Sequence, residues 1–306
     1  MTRRFFDIPY LINTAKIKWR AFRLKSNRKQ TPYAYFRKQI SPQSVPEVQL
    51  KYIDRYHSLN YFNYTDAKKK HASPRSLTQE LIIGLALYNQ FVDDKNFIRQ
   101  PILELAKKLE DSAEFKDDNM VFFFNESYNR FDLKGKYSSG LVQGKAASLF
   151  IRCFHITNNQ KYLDFAKKCL LASNLSLKEG GFERQLDENQ KWPEEYPSPT
   201  PSMVLNGALF YLIGLSEYLT ESKDEILHEK FENYLETILS WMDFYKVKGG
   251  LLYSMYRWSL CNVHYTAIMK FQFEHLYKIT GLAVFNDFAN YTDDLTNWKV
   301  FFRLLK

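Results

Sequence analysis

The chain has 306 residues, 45% hydrophobic and 25% charged, which is enough for one large domain or two modest ones and excludes a disordered polymer. Its formal charge is +9, and its three cysteines, Cys153, Cys169 and Cys261, are too scattered for a disulfide framework or a Cys-x-x-Cys metal site. No apolar run approaches the ~18 residues of a membrane-spanning helix and the start lacks the apolar core of a secretory signal, so a cytoplasmic protein is expected.

The charge is concentrated at the beginning. Residues 1–40 hold 11 Lys and Arg against one acid, Asp7, so polyanion affinity would belong to this arm and not to the body. Between the cations, Leu11, Ile12, Ala15, Trp19 and Phe22 recur at helical spacing, which predicts a short basic amphipathic helix. Two readings stay open. The helix lies on a membrane surface or in a partner's groove, or it docks on the body through Trp19 and Phe22 with its cations solvated. Residues 1–70 contain Pro32, Pro42 and Pro46 and do not repeat. They read as a basic arm wrapping a domain of residues 71–306.

That domain repeats. Helical hairpins are expected to begin near Leu77, Leu141, Met203 and Val263, turning at Asp93, Asn158, Glu221 and Thr280. Each first helix has a wide apolar face, as an inner helix packed on several neighbours has. The linkers between hairpins hold short aromatic or β-branched runs: Met120-Val-Phe-Phe-Phe, Gly181-Phe-Glu-Arg-Gln-Leu and Gly249-Gly-Leu-Leu-Tyr-Ser-Met-Tyr. These read as β-hairpins or short strands. The fold expected is all-α: an incomplete (α/α) toroid of about four helical hairpins, with the β-hairpins on one rim and function on that rim. A plain α-solenoid with a peptide-binding face is the alternative.

The densest polar cluster outside a helix is Lys191-Trp-Pro-Glu-Glu-Tyr-Pro-Ser-Pro-Thr-Pro-Ser. Its prolines forbid helix until the third hairpin begins, and a stiff backbone carrying Glu194, Glu195 and Tyr196 suits a pre-organised site. A proline-rich loop with solvated acids would have the same sequence.

From Glu194 onward, Glu-Glu-Tyr-Pro-Ser-Pro-Thr-Pro-Ser-Met-Val-Leu-Asn-Gly-Ala-Leu-Phe-Tyr-Leu-Ile-Gly-Leu resembles the C-terminal catalytic region of the D-glucuronyl C5-epimerases, which act on heparosan and heparan sulfate. Lys136-Tyr-Ser-Ser-Gly-Leu-Val-Gln-Gly-Lys-Ala is similar to the family's WYS-x-x-x-QGQA stretch. Leu252-Tyr-Ser-Met-Tyr-Arg followed by His264-Tyr-Thr agrees in order. The resemblance spans roughly residues 135–275. It implies an α/α barrel on which a glutamate and several tyrosines surround the uronate C5. The glutamate and the tyrosine after it fall on Glu195 and Tyr196, and a strand tyrosine falls on Tyr253. The family's arginine falls beside Arg257, one position late, with Tyr256 at the strict register. Its last tyrosine precedes a histidine, a position held here by Val263, with His264 and Tyr265 following.

The chemistry implied is removal of H5 and its return on the opposite face, which needs acid and base groups on the two sides of the sugar. Glu195 is then the base on one face and a tyrosine the donor on the other, while Arg257 holds the carboxylate whose charge grows in the enediolate. His264 is read as a proton-transfer or carboxylate-binding group, or as packing. Tyr137 lines the rim, and Arg184 is a further substrate-binding candidate. Gln143 and Asn206 either bond sugar hydroxyls or satisfy helix-end groups. No cofactor and no metal are called for. The expected partners are a glucuronate-containing polysaccharide, a peripheral membrane contact through the arm and a second copy in a homodimer, with no nucleic acid. The reaction read from this is conversion of D-glucuronate to L-iduronate within a heparosan-like polymer. A polysaccharide lyase, which takes the same H5 and then expels the C4 oxygen, and a non-catalytic polysaccharide-binding repeat protein are the alternatives.

Overall fold

The computed structural model describes residues 15–20, 22–23, 30–56, 76–94, 99–247 and 250–296. Leu11, Ile12 and five of the cations of residues 1–40 (Arg3, Arg4, Lys25, Arg28 and Lys29) lie outside them. The described residues form four helical hairpins: α1 (Leu77–Asp93) with α2 (Gln100–Ser112), α3 (Gly140–Thr157) with α4 (Gln160–Leu171), α5 (Leu205–Glu221) with α6 (Glu225–Tyr245), and α7 (Val263–Thr280) with α8 (Ala283–Thr296). The first helices begin within two residues of where the apolar periodicity put them.

Local chemistry explains the ends. A capping box starts α1, where the Ser76 hydroxyl accepts from Gln79 N–H while the Gln79 side chain accepts from Ser76 N–H. Asn158 (φ 54°) and Gly281 (φ 72°) adopt the left-handed conformation that closes α3 and α7.

The four first helices pack side by side in chain order, α1 on α3, α3 on α5, and α5 on α7. The middle two are buried on all sides over their first three to four turns, whereas α1 and α7 bury one face only. That close crossing depends on Gly144. A Cβ there would lie 2.5 Å from the Phe210 carbonyl oxygen and from Tyr211 Cα.

Three two-stranded antiparallel hairpins occupy the linkers: β1 (Glu114–Lys116) with β2 (Asn119–Val121), β3 (Glu183–Gln185) with β4 (Lys191–Pro193), and β5 (Lys246–Val247) with β6 (Gly250–Leu251). Their strands are only two or three residues long. Main-chain contacts tie the linkers together. Gly140 N–H donates to Glu194 O (2.8 Å), Met255 N–H donates to Ser202 O (3.2 Å), and Val204 bridges Ser254. The linkers therefore lie next to one another at the end where α3, α5 and α7 begin.

Residues 30–56 run over this body. Tyr33 stacks on Trp241 (5.6 Å) and donates its N–H to Met255 O, Trp258 Nε1 donates to Gln30 O (2.6 Å), and Lys51 N–H donates to Ile279 O (3.0 Å). Residues 15–20 are helical, as the periodicity predicts. Docking through Trp19 and Phe22 is corrected, however. Both rings are mostly exposed and Arg23 lies over Trp19, while within the described part of residues 15–23 it is Ile17 that packs against the core. Among the described residues no helix is long and apolar enough to cross a membrane.

Candidate functional site

The loop after β4 bends at Glu195 and Tyr196, and its two acids leave it in different directions. Glu194 turns inward and Glu195 turns toward the ends of the inner helices. Fully buried Glu194 accepts from Arg184 Nε (3.0 Å), Ser202 N–H (2.8 Å), Met203 N–H (2.8 Å) and the Ser202 hydroxyl, while the Arg184 guanidinium also reaches Ser198 O. This cage folds the proline segment back on itself and holds Met203 at φ 42°, a conformation a non-glycine residue needs help to keep. Glu194 and Arg184 are thus occupied in holding the loop.

Glu195 is 6% exposed and lies over Gly207 in the first turn of α5. Its Oε2 is buried without a hydrogen-bond partner among the described residues. Burial raises its carboxyl to about 7, against the pull of a hydrogen bond from Tyr196 and the charges of Lys145 and Arg130.

Around this carboxylate stand groups from three linkers. Tyr196 stacks on Phe131 (4.5 Å between ring centroids), and Tyr128 and Tyr137 flank it. Tyr253, from the third linker, meets Tyr265 in the first turn of α7 edge to face at 4.8 Å. The Asn262 side chain caps that turn by accepting from Tyr265 N–H (2.9 Å), which fixes where Tyr265 leaves the helix. Burial, followed by the Glu195 charge, raises the phenols of Tyr137 (to about 12), Tyr196, Tyr253 and Tyr265, so all four are protonated at neutral pH. Arg130, on the 3₁₀ turn Asn129–Phe131, sets its guanidinium 4.7 Å from the Tyr253 ring centroid and is exposed. Under the cluster, Lys145 of α3 is buried with Nζ 3.9 Å from the Phe210 ring. Among the described residues no group of three or more His, Cys, Asp or Glu is placed to hold a metal ion.

Glu195, Tyr196, Tyr253, Tyr265 and Tyr137 are therefore brought together. Arg257 is not. It is exposed, and its guanidinium rests over Tyr256, whose hydroxyl donates to Asp132. The exposed cation whose charge acts on Glu195 comes from another linker, as Arg130. Gln143 spends its side chain on backbone, donating to Met120 O (2.8 Å) and Cys169 O (3.4 Å) and accepting from Phe122 N–H (3.3 Å). Asn206 is buried; its main-chain carbonyl accepts from Gln272 Nε2 (2.7 Å), while its side-chain Oδ1 has no hydrogen-bond partner among the described residues. His264 is exposed, edge-on to Tyr265 at 5.6 Å. Sequence reading missed Arg130 and Lys145. The first had no signal beyond its aromatic neighbours. The second had one: a lone cation on an inner helix with Leu141, Val142, Ser148 and Leu149, and no acid, at helical spacing.

Gly207→Ala tests whether the carboxylate is seated on α5. The added methyl would collide with the Glu195 side chain and lie 2.7 Å from Oε2. We expect a loss of about 1–3 kcal/mol in chemical denaturation and reduced turnover. A variant as stable and as active as the parent would show that Glu195 does not need this seat.

A model of the D-glucuronyl C5-epimerase C-terminus family matches residues 116–293. A D-glucuronyl C5-epimerase of Caenorhabditis elegans is 28% identical over 159 residues, 48% of this chain and 26% of that protein, so the chain spans about a quarter of that relative's length. An uncharacterized protein of Methanocaldococcus jannaschii is 22% identical over 257 residues, 82% of this chain and 76% of the other. Among solved structures, the crystal structure of a D-mannose isomerase is similar at a TM-score of 0.43 and 15% identity, covering 72% of this chain and 58% of that one.

Proposed function

The chain belongs to the D-glucuronyl C5-epimerase C-terminus family, and on that premise we propose that it inverts C5 of D-glucuronate residues to L-iduronate within a heparosan-like polysaccharide. The observation that carries this reading is the meeting of one carboxylate that titrates near neutrality with phenols held protonated, from three linkers, beneath an exposed arginine. Environments that push the pKa values of neighbouring groups apart assign the acid and the base.

In this reading Glu195, as carboxylate, takes H5. The C5–H electron pair moves into the C5–C6 bond and the C6 carboxylate becomes an enediolate. Arg130 stands where it meets that added charge, the role the sequence gave to Arg257. A phenol of the Tyr253–Tyr265 pair or of Tyr196 returns a proton to the other face, and the carboxylate is restored with C5 inverted. The helical arc, read as an open toroid, leaves the linker end accessible to a polymer passing across it.

The test is incubation with heparosan in deuterated water, read by NMR. Deuterium at C5 together with iduronate signals is expected. An alkene signal would convert the reading to elimination, and no exchange on any glucuronan would sink it. We further propose that the basic arm holds an anionic polymer or lipid surface. Deleting residues 10–29 is then expected to weaken binding and flatten its salt dependence, because salt screens exposed charges. Unfolding of the deletion variant would instead assign the segment to the body's stability.

A further inference from the structure

Lys145 is a residue that the fold alone does not explain. It lies 4% exposed in α3, in a helix whose neighbouring positions are apolar or small. A buried ammonium stabilises a core only when a partner compensates its lost hydration. The Phe210 face at 3.9 Å supplies part of that compensation, and the charge that acts on Lys145 is that of Glu195. Glu195 in turn keeps Oε2 buried without a hydrogen bond among the described residues. Glu195 sits on Gly207 and Lys145 on Phe210, three residues further along α5, so two opposite charges from different elements lie buried beside the same stretch of helix, neither of them used to build the loop.

We propose that Lys145 is a positioning residue for Glu195: its ammonium, set in the floor of the site, keeps the buried carboxylate in the ionised form that proton abstraction requires. The inference rests on the epimerase reading for the purpose of that ionisation, and on the structure alone for the coupling.

Burial lowers Lys145 to about 7 and raises Glu195 to about 7, each opposed by the other's charge. The two groups consequently titrate as a pair around neutrality, and removing one member must move the other. The remaining groups facing Glu195 are Arg130 and Tyr137 from the first linker, Glu194 and Tyr196 from its own, Tyr253 from the third and Tyr265 from α7. Of these, only Arg130 is cationic, and it stands on the exposed side. Loss of Lys145 should therefore shift the carboxylate's titration upward without preventing ionisation altogether.

The experiment is a titration of Glu195 in the full chain carrying ¹³C at glutamate Cδ. The Glu195 signal is assigned by its absence from Glu195→Gln. The Lys145→Met midpoint is expected to lie about one unit or more above that of the parent, while Lys145→Arg, which keeps a cation, stays near the parent. Measured in parallel, the rising limb of C5 exchange against pH moves with the midpoint. Exchange in Lys145→Met is then lower at pH 7 by about fivefold or more and recovers at higher pH. A structural role would lower the whole profile and leave its midpoint in place. Lys145→Gln is titrated alongside and takes the place of the methionine variant if that one fails to fold. An unmoved Glu195 midpoint in a folded, uncharged variant overturns the inference. A midpoint that moves in a protein whose parent exchanges no C5 hydrogen upholds the coupling and overturns only the epimerase reading.

Discussion

Glu195→Gln is expected to lower C5 hydrogen exchange by about 10²–10⁴-fold, the usual cost of removing a general base, while binding of the polymer is largely retained. The substitution keeps the shape of the side chain over Gly207 and removes only its basicity. Retained binding is expected because the proposed reading gives the holding of the substrate to other groups: Arg130, which is exposed, and the aromatic rings of Tyr196, Tyr128 and Tyr137, which lie together. Arg130→Met should in contrast impair binding and rate together, since it would meet the carboxylate in both ground and transition states. Tyr253→Phe should cut turnover if its hydroxyl lies on the proton path.

The pH dependence has a definite sign. Burial raises Glu195 to about 7, and the base must be deprotonated, so exchange should climb as pH rises through neutrality. The phenols, raised from their ordinary value, should not limit it until well into the alkaline range. A Glu195→Gln rate within a few-fold of the parent would remove Glu195 from the mechanism and leave the tyrosines to account for both proton transfers.

The starts of the inner helices were readable because apolar spacing over several turns is a long signal, and Leu77, Gly140, Leu205 and Val263 begin helices close to where it pointed. The linker hairpins were readable from aromatic runs next to glycines. The meeting of Glu195, Tyr196 and Tyr253 followed from placing successive linkers beside one another on one end, which needs no contact information. What spacing cannot supply is direction. Glu194 and Glu195 look equivalent as adjacent acids, and only the folded chain, which bends at Glu195, sends the first into the Arg184–Ser202–Met203 cage and the second to the site. Arg257 and Arg130 illustrate the same limit. The former sits at the expected sequence position yet faces solvent, and the latter reaches Glu195 from a 3₁₀ turn in another linker. Gln143 is a long polar side chain at the site end of α3 that the packing of β2 against α4 consumes.

The other end of the inner helices carries the interaction whose loss should cost the most stability. Arg152, Glu217 and His275 lie twelve residues beyond the first residue of α3, α5 and α7 respectively, at one depth along the packed helices. Both nitrogens of the Arg152 fork bind the Glu217 carboxylate (2.9 and 2.8 Å), and His275 Nε2 lies 3.0 Å from Oε1. Arg152 and Glu217 have no solvent-exposed surface, and the Tyr56 ring covers the guanidinium at 4.8 Å. Glu217→Gln leaves that guanidinium buried without a counter-charge, which is expected to cost about 3–5 kcal/mol. That is a large share of the ~5–15 kcal/mol by which a domain is stable, so equilibrium denaturation should show it plainly. Replacing both partners, as in Arg152→Met with Glu217→Leu, should cost much less, because no charge is stranded. Acid should reproduce the single substitution. Burial acts to raise the Glu217 carboxyl, but the Arg152 charge and the hydrogen bonds from His275 and Arg152 outweigh it and hold it at about 2. A carboxylate depressed from ~4.3 in the unfolded chain contributes stability that is full above that value and is lost as pH falls toward 2. The parent should therefore lose stability over that window more steeply than the double variant. Equal slopes, or a Glu217→Gln protein that denatures with the parent, would show that the three helices are held together by their apolar packing alone.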